Sequence, residues 1–169
     1  MDYKDKLIKW NGTAKYLSEV KFLKGLVEHR EYTSLDYGCG TGYCAALLGA
    51  DGYDVNDYNE YLAEDNYFNT LPEDHYDYIY FMHSFSHLPN PKDILRILRS
   101  KYPGTIITVI TPNKDWLDEG YNNDPTVVRH YTMNELKTIF EDCGYEVNLI
   151  GQFGELKNNI NERIFLQTK

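Results

Sequence analysis

Leu35-Asp36-Tyr37-Gly38-Cys39-Gly40-Thr41-Gly42 (LDYGCGTG) is the stretch that decides the fold of this chain. A short strand near Ser34 to Tyr37 runs into three glycines at alternate positions, with a carboxylate two residues before the first of them. Glycine lacks a Cβ and tolerates φ > 0, so this turn lets backbone approach a bound nucleoside closely. Asp36 would repel a bare pyrophosphate. It points to a ligand that carries cationic or hydroxyl groups.

Upstream of the turn, Lys4 to Glu28 reads as one or two amphipathic helices. Leu17, Val20, Phe22, Leu23, Leu26 and Val27 form the apolar stripe, and Asn11-Gly12-Thr13 is a break with a cap. Downstream, Gly42 opens a helix that ends near Gly49. A second strand is expected over Tyr53 to Asn56, ending at Asp57. Between Tyr58 and His75 only a short helix and a stub of strand at Tyr67-Phe68 are expected. Asp77 to Met82 and Thr105 to Ile110 read as buried strands, the latter β-branched. Pro91 starts a helix, since proline is tolerated in the first turn. Thr132 with Glu135 forms a capping box for a helix that stops at Gly144. Tyr145–Ile150 and Ile164–Gln167 read as an antiparallel edge hairpin. Strands alternating with helices imply an α/β fold with a largely parallel sheet.

Composition narrows the function. The 169 residues suit one domain with one core. A net charge of −9 argues against a nucleic-acid substrate, because phosphate backbones are bound through clustered Lys and Arg. The lysines near the N-terminus (Lys4, Lys6, Lys9, Lys15, Lys21, Lys24) read as a solvated helix face. No apolar run is long enough to span a bilayer. The N-terminus is charged from its second residue, unlike a secretory signal, so a cytoplasmic location is expected. Cys39, Cys44 and Cys143 have neither disulfide-framework nor zinc-finger spacing.

In open α/β sheets the ligand lies beyond the carboxyl ends of the strands. Gly38 and Gly40, Asp57, and Met82 with His83 all fall at expected strand ends. Asp57 follows Gly38 by about twenty residues, the spacing of a carboxylate that accepts from ribose hydroxyls. A nicotinamide-dinucleotide fingerprint would need its third glycine where Tyr43 stands.

Four separated pieces, LDYGCGTG, YDVNDYNEYL, HYDYIYFMHSFSHLPNPKDILRILRSKYPGTIITVITPN and RHYTMNELKTIFEDCGYEV, together resemble class I S-adenosylmethionine-dependent methyltransferases. The resemblance is to the branch of the ubiquinone and menaquinone biosynthesis enzymes and spans roughly Leu35 to Val147. It implies an α/β, Rossmann-like seven-stranded methyltransferase sheet, mostly parallel with an antiparallel last strand and truncated around strand three. It further implies one domain over 1–169, with N-terminal helices 1–30 as a lid and 35–169 as the Rossmann-like core. The cofactor would be S-adenosylmethionine, leaving as S-adenosylhomocysteine. Asp36, Gly38 and Gly40 would line its methionine end beside Cys39, which also reads as a small buried hydrophobe. Asp57 would bind the ribose, Tyr58 would pack on the adenine, and Met82 and His83 would close the pocket under the sulfonium.

The chain departs from the family pattern in three places. The interval from Asp57 to Asp77 is short for a helix plus strand three, leaving Asn66 and Asn69 as candidates for the adenine contact. Ser86-His87 replaces a Glu-His pair. No added substrate-capping domain is present, so the acceptor pocket must come from the N-terminal helices, from the loop Asn113 to His130, or from a partner subunit. His83 and His130 are the candidate catalytic residues, with His87 also near the strand ends. Each also reads as a structural histidine. Asp115, Asp118 and Glu119 form an acidic cluster after strand five. No metal is expected. Methyl transfer to a small molecule, at oxygen, is the leading expectation, for a monomer or homodimer. A catalytically idle cofactor-binding or structural subunit is the alternative, and protein methylation the third reading.

Overall fold

The computed structural model describes residues 2–27, 32–117, 124–153 and 163–169. A seven-stranded sheet has the order β3-β2-β1-β4-β5-β7-β6. Its strands are β1 Ser34–Tyr37, β2 Asp51–Tyr53, β3 Tyr67–Phe68, β4 Tyr78–Met82, β5 Ile106–Pro112, β6 Val147–Phe153 and β7 Arg163–Thr168. The α-helices are α1 Tyr3–Trp10, α2 Ala14–Val27, α3 Tyr43–Leu48, α4 Pro91–Lys101 and α5 Met133–Asp142. Short 3-10 helices, η1 Glu64–Asn66, η2 Phe85–His87 and η3 Lys114–Trp116, complete the described elements. No helix among the described residues is long and apolar enough to cross a membrane.

The chain divides into two compact units, Met1–Tyr78 and Ile79–Lys169. In the first, β1 pairs in parallel with β2, and β2 with β3. Glycine limits α3 at both ends: Gly42 and Gly49 are left-handed, and Gly49 N–H closes on Ala45 and Ala46. Leu35, Tyr37, Cys44, Ala45 and Tyr53 are buried, as are Val20 and Leu23 of α2. The expected stripe on α2 is narrower than its sequence implies, because Leu17 and Phe22 are exposed. Strand β2 also differs from expectation. It ends at Tyr53, so Asp54 and not Asp57 takes the strand-end position. No helix separates β2 from β3, only η1, and β3 is the two-residue stub expected at Tyr67–Phe68.

In the second unit, β7 lies between β5 and β6 and is antiparallel to both. Helix α4 buries Leu95 and Leu98, and α5 buries Leu136, Ile139 and Phe140. Phe85 stacks on Phe140 at 5.5 Å and meets Phe81 edge-on at 5.3 Å. That aromatic cluster anchors η2 below the end of β4. The capping box forms as the sequence predicts: Glu135 N–H donates to Thr132 Oγ1, and Thr132 N–H to Glu135 Oε2.

Candidate active site

The glycine turn is built by β2. Gly38 N–H and Cys39 N–H both donate to Tyr53 O, at 2.7 and 3.1 Å. Gly40 N–H donates to Asp54 Oδ2 at 2.9 Å. Gly38, Gly40 and Gly42 have φ of 75°, 56° and 80°, a left-handed conformation that disfavours a side chain at each position. The alternation read from the sequence is therefore a backbone requirement. The Asp54 carboxylate is buried, and its Oδ1 also accepts from Asn56 N–H and Asn56 Nδ2. A carboxylate offers about four lone-pair sites, so Asp54 retains capacity for a further hydroxyl donor.

The loop after Asp54 is held by β3. Tyr67 Oη donates to Asn56 O at 2.6 Å and accepts from Tyr58 N–H at 3.3 Å. Burial pushes the Tyr67 phenol up to about 12, so it stays protonated as a donor. Asn69 Nδ2 donates to Asp54 O, and Asn66 Nδ2 to Asp51 Oδ1. Both asparagines raised as adenine contacts thus hold protein groups. Asp57 is exposed, in the loop beyond Asp54.

Cys39 is buried with its Sγ against β2, where any side chain at Gly52 would collide with it. Burial, followed by the charges of Asp36 and Asp54, pushes its thiol well up. The reading of Cys39 as a small hydrophobe fits this packing. Asp36 is 1% exposed, and Glu19 of α2 is 2% exposed in the same unit. Burial first, then nearby charges including Asp36 and Glu19, pushes the Tyr16 phenol and the Cys44 thiol well up. Sequence reasoning missed Glu19. Its signal was an acidic residue four before Leu23, on the same helix face.

Helix α1 packs along this turn. Leu7 Cδ1 lies 3.1 Å from where a Cβ on Gly40 would stand. Asn11 Nδ2 donates to Thr41 Oγ1 at 2.8 Å, Lys4 pairs with Glu60 at 2.6 Å, and the Tyr3 and Tyr58 rings lie 5.9 Å apart.

In the second unit, β4 ends at buried Met82, and His83 adopts φ 58°. A non-glycine residue in this region is uncommon, and histidine is among the types that tolerate it. The conformation is held by His83 N–H donating to Ile110 O at 2.8 Å. Strand β5 exits at fully buried Asn113, which bridges to Tyr131. Val128 N–H and Arg129 N–H both donate to Ser86 O, at 3.0 and 3.1 Å, so the segment returning to α5 is docked on η2. His130 is half-buried on that segment. Asp115 lies in η3, while Asp118 and Glu119 lie outside the described residues. No cluster of metal-ligating residues occurs among the described residues.

The methyltransferase-domain family matches residues 11–149, most of the chain. The chain belongs to that family. Three solved structures share this methyltransferase's fold. A SAM-dependent methyltransferase from Archaeoglobus fulgidus aligns with TM-score 0.75 at 20% identity, over 99% of this chain and 100% of that one. The Haloferax volcanii complex between the Trm112 methyltransferase activator and a methyltransferase aligns with TM-score 0.73 at 17% identity, over 99% and 96%. Magnesium protoporphyrin IX methyltransferase from Synechocystis PCC 6803, with bound SAM, aligns with TM-score 0.65 at 15% identity, over 99% and 84%. A search of curated proteins returned no match. The methyltransferase fold expected from the four sequence pieces is thus the observed one, with the antiparallel strands β6 and β7 at one edge.

Proposed function

We propose that this methyltransferase transfers the methyl group of S-adenosylmethionine to an oxygen of a small molecule. The observation that carries the donor half is the turn of three left-handed glycines tied to Asp54. That turn is a cradle that side chains would fill, and it fits a nucleoside-bearing ligand. The cofactor supplies an activated methyl group on a sulfonium. What remains for the protein is chiefly to hold donor and acceptor in line.

In this reading Asp36 and Glu19 give the turn an anionic surround suited to the cofactor's ammonium group. Asp54 takes the ribose-facing place that the sequence assigned to Asp57, while Tyr58 stays the candidate for the adenine face. Helix α1 is the lid, with Leu7 over Gly40 and Tyr3 beside Tyr58.

Calorimetric titration with S-adenosylhomocysteine tests the donor half, and no binding at millimolar ligand overturns it. Release of S-adenosylhomocysteine across a panel of phenols, hydroxy acids and sugars tests the acceptor half.

A second reading rests on the Haloferax volcanii neighbour, which is solved in complex with the Trm112 methyltransferase activator. Here the chain would work with an activator of that kind. Co-purification with such a protein, together with turnover only in its presence, is the outcome that favours it.

A further inference from the structure

We infer that Tyr67 is a positioning residue for the cofactor: its hydroxyl fixes the turn after Asp54, and through that turn it holds the Asp54 carboxylate toward the ribose. The inference rests on the donor reading above and deepens it. Every group it uses lies in the unit Met1–Tyr78. The hydroxyl sits between two backbone groups of the turn. It donates to Asn56 O at 2.6 Å and accepts from Tyr58 N–H at 3.3 Å. Gly40 O of the glycine turn lies 3.5 Å from the same oxygen.

No helix continues from β2 to support this turn. Strand β2 ends at Tyr53, and η1 is the one helical element before β3 among the described residues. Strand β3 supplies the support instead. It has two residues, with Tyr67 paired to Gly52 and Phe68 to Tyr53. Asp54 N–H donates to Phe68 O at 3.0 Å, and Asn69 Nδ2 donates to Asp54 O at 2.9 Å, so the Asp54 backbone is held by this end of β3. Asn56 O and Tyr58 N–H lie past the ladder, and the Tyr67 hydroxyl joins them into a closed turn. Asn69 Nδ2 also reaches Asn56 O, at a longer 3.3 Å. Asp57 stands exposed at the tip, between the two groups that the hydroxyl bridges.

The bonds run in series from Tyr67 to Asp54. Asn56 N–H and Nδ2 donate to Asp54 Oδ1 at 2.9 and 3.2 Å, while Gly40 N–H donates to Oδ2 at 2.9 Å. With Asn56 fixed by Tyr67, the carboxylate is gripped through both oxygens and its orientation is set before a ligand arrives. Such preorganisation strengthens binding by lowering the cost of ordering the site. A phenol has one hydrogen, which goes to the nearer carbonyl, Asn56 O, and leaves its lone pairs for Tyr58 N–H. Burial pushes the Tyr67 phenol up to about 12, so that hydrogen is present at neutral pH.

Tyr67→Phe keeps the ring and removes only the hydroxyl. By titration calorimetry it is expected to weaken S-adenosylhomocysteine binding about tenfold. In the Asp54→Asn background the same change should weaken binding by less than about twofold, because it acts through that carboxylate. Native-state hydrogen exchange should show the Tyr58 amide exchanging about tenfold faster in Tyr67→Phe, with the Gly38 and Cys39 amides, held by Tyr53 O, within about twofold of the native protein. Unchanged affinity in Tyr67→Phe overturns the inference and leaves the donor reading standing. An equal loss in the native and Asp54→Asn backgrounds does the same, since Tyr67 then acts apart from Asp54. Equally faster exchange at Gly38 and Cys39 shows that the hydroxyl supports the strand pair as a whole, which also overturns the positioning role. Absence of S-adenosylhomocysteine binding to the native protein overturns the donor reading, and this inference with it.

Discussion

Asp54 Oδ2 accepts a 2.9 Å hydrogen bond from Gly40 N–H, which ties the end of β2 to the middle of the glycine turn. The same carboxylate holds the Asn56 backbone through Oδ1. One buried side chain thus shapes both walls of the proposed cofactor cradle.

Asp54→Asn keeps the volume but sets an amide N–H₂ against a backbone N–H. The loss of a charge-assisted bond at a buried site is worth about 1.5–3 kcal/mol, or roughly 10–150-fold in affinity for S-adenosylhomocysteine. Asp57→Asn, on an exposed residue, is expected to change that affinity by about twofold at most. Titration calorimetry on both variants decides between them. The reverse ranking restores Asp57 as the ribose ligand.

Gly42→Ala is expected to destabilise the fold for two separable reasons. Its φ of 80° is unfavourable for alanine, and the new Cβ would stand 2.8 Å from Leu62 Cγ. Together these cost about 1–3 kcal/mol. Adding Leu62→Ala in the Gly42→Ala background removes the collision but not the backbone strain. Urea denaturation of Gly42→Ala and the double variant, each against its Gly42 parent, should show the penalty of Gly42→Ala partly reduced.

Deleting residues 2–11 tests the lid. Leu7 covers Gly40, and burying one leucine side chain is worth about 1.5–3 kcal/mol, so dissociation of S-adenosylhomocysteine should quicken about tenfold or more. Stopped-flow displacement measures this. An unchanged rate removes α1 from the site.

The cysteines should be silent. Cys39, Cys44 and Cys143 are buried, and burial pushes all three thiols up, so little thiolate is present at pH 7.5. Iodoacetamide should label them only after denaturation. Cys39→Ala should leave cofactor affinity within about twofold, since it acts as packing. Rapid labelling of Cys39, blocked by S-adenosylhomocysteine, would place it in the cofactor site.

Glu135 carries a pH dependence of known sign. The Thr132 N–H holds its carboxyl below the usual range against the opposing effect of burial, and the Arg129 guanidinium and the Lys114 charge add to the lowering. A carboxylate with a lowered folded pKa stabilises the native state above its unfolded pKa, and that contribution is lost as pH falls through the folded value. Glu135→Gln should therefore cost about 1 kcal/mol at pH 7. The difference from the native protein should shrink as pH is taken below about 4.5. Urea melts at both pH values check this, and a pH-independent difference contradicts the charge argument.

Much of the fold was legible because its signals are local. The alternate glycines at 38, 40 and 42 declare a left-handed turn, Thr132 with Glu135 declares a helix start, and Pro91 opens α4. Strand β2 was misread because Tyr53, Asp54, Val55 and Asn56 alternate as a strand does. Only pairing with β1 shows that the ladder stops at Tyr53. Exposure of Val55, at 73%, removes the apolar support its pattern implied.

The α/β class, the left-handed glycine turn and the shortened third strand were readable from residue type and spacing along the chain. Tertiary contacts were needed to show that Asp54 shapes the turn, that Glu19 is buried in the unit that holds Asp36, and that His87 meets Thr126. These pairs are brought together by sheet register and loop docking. No periodicity in the chain encodes which hydrogen bonds these pairs then make.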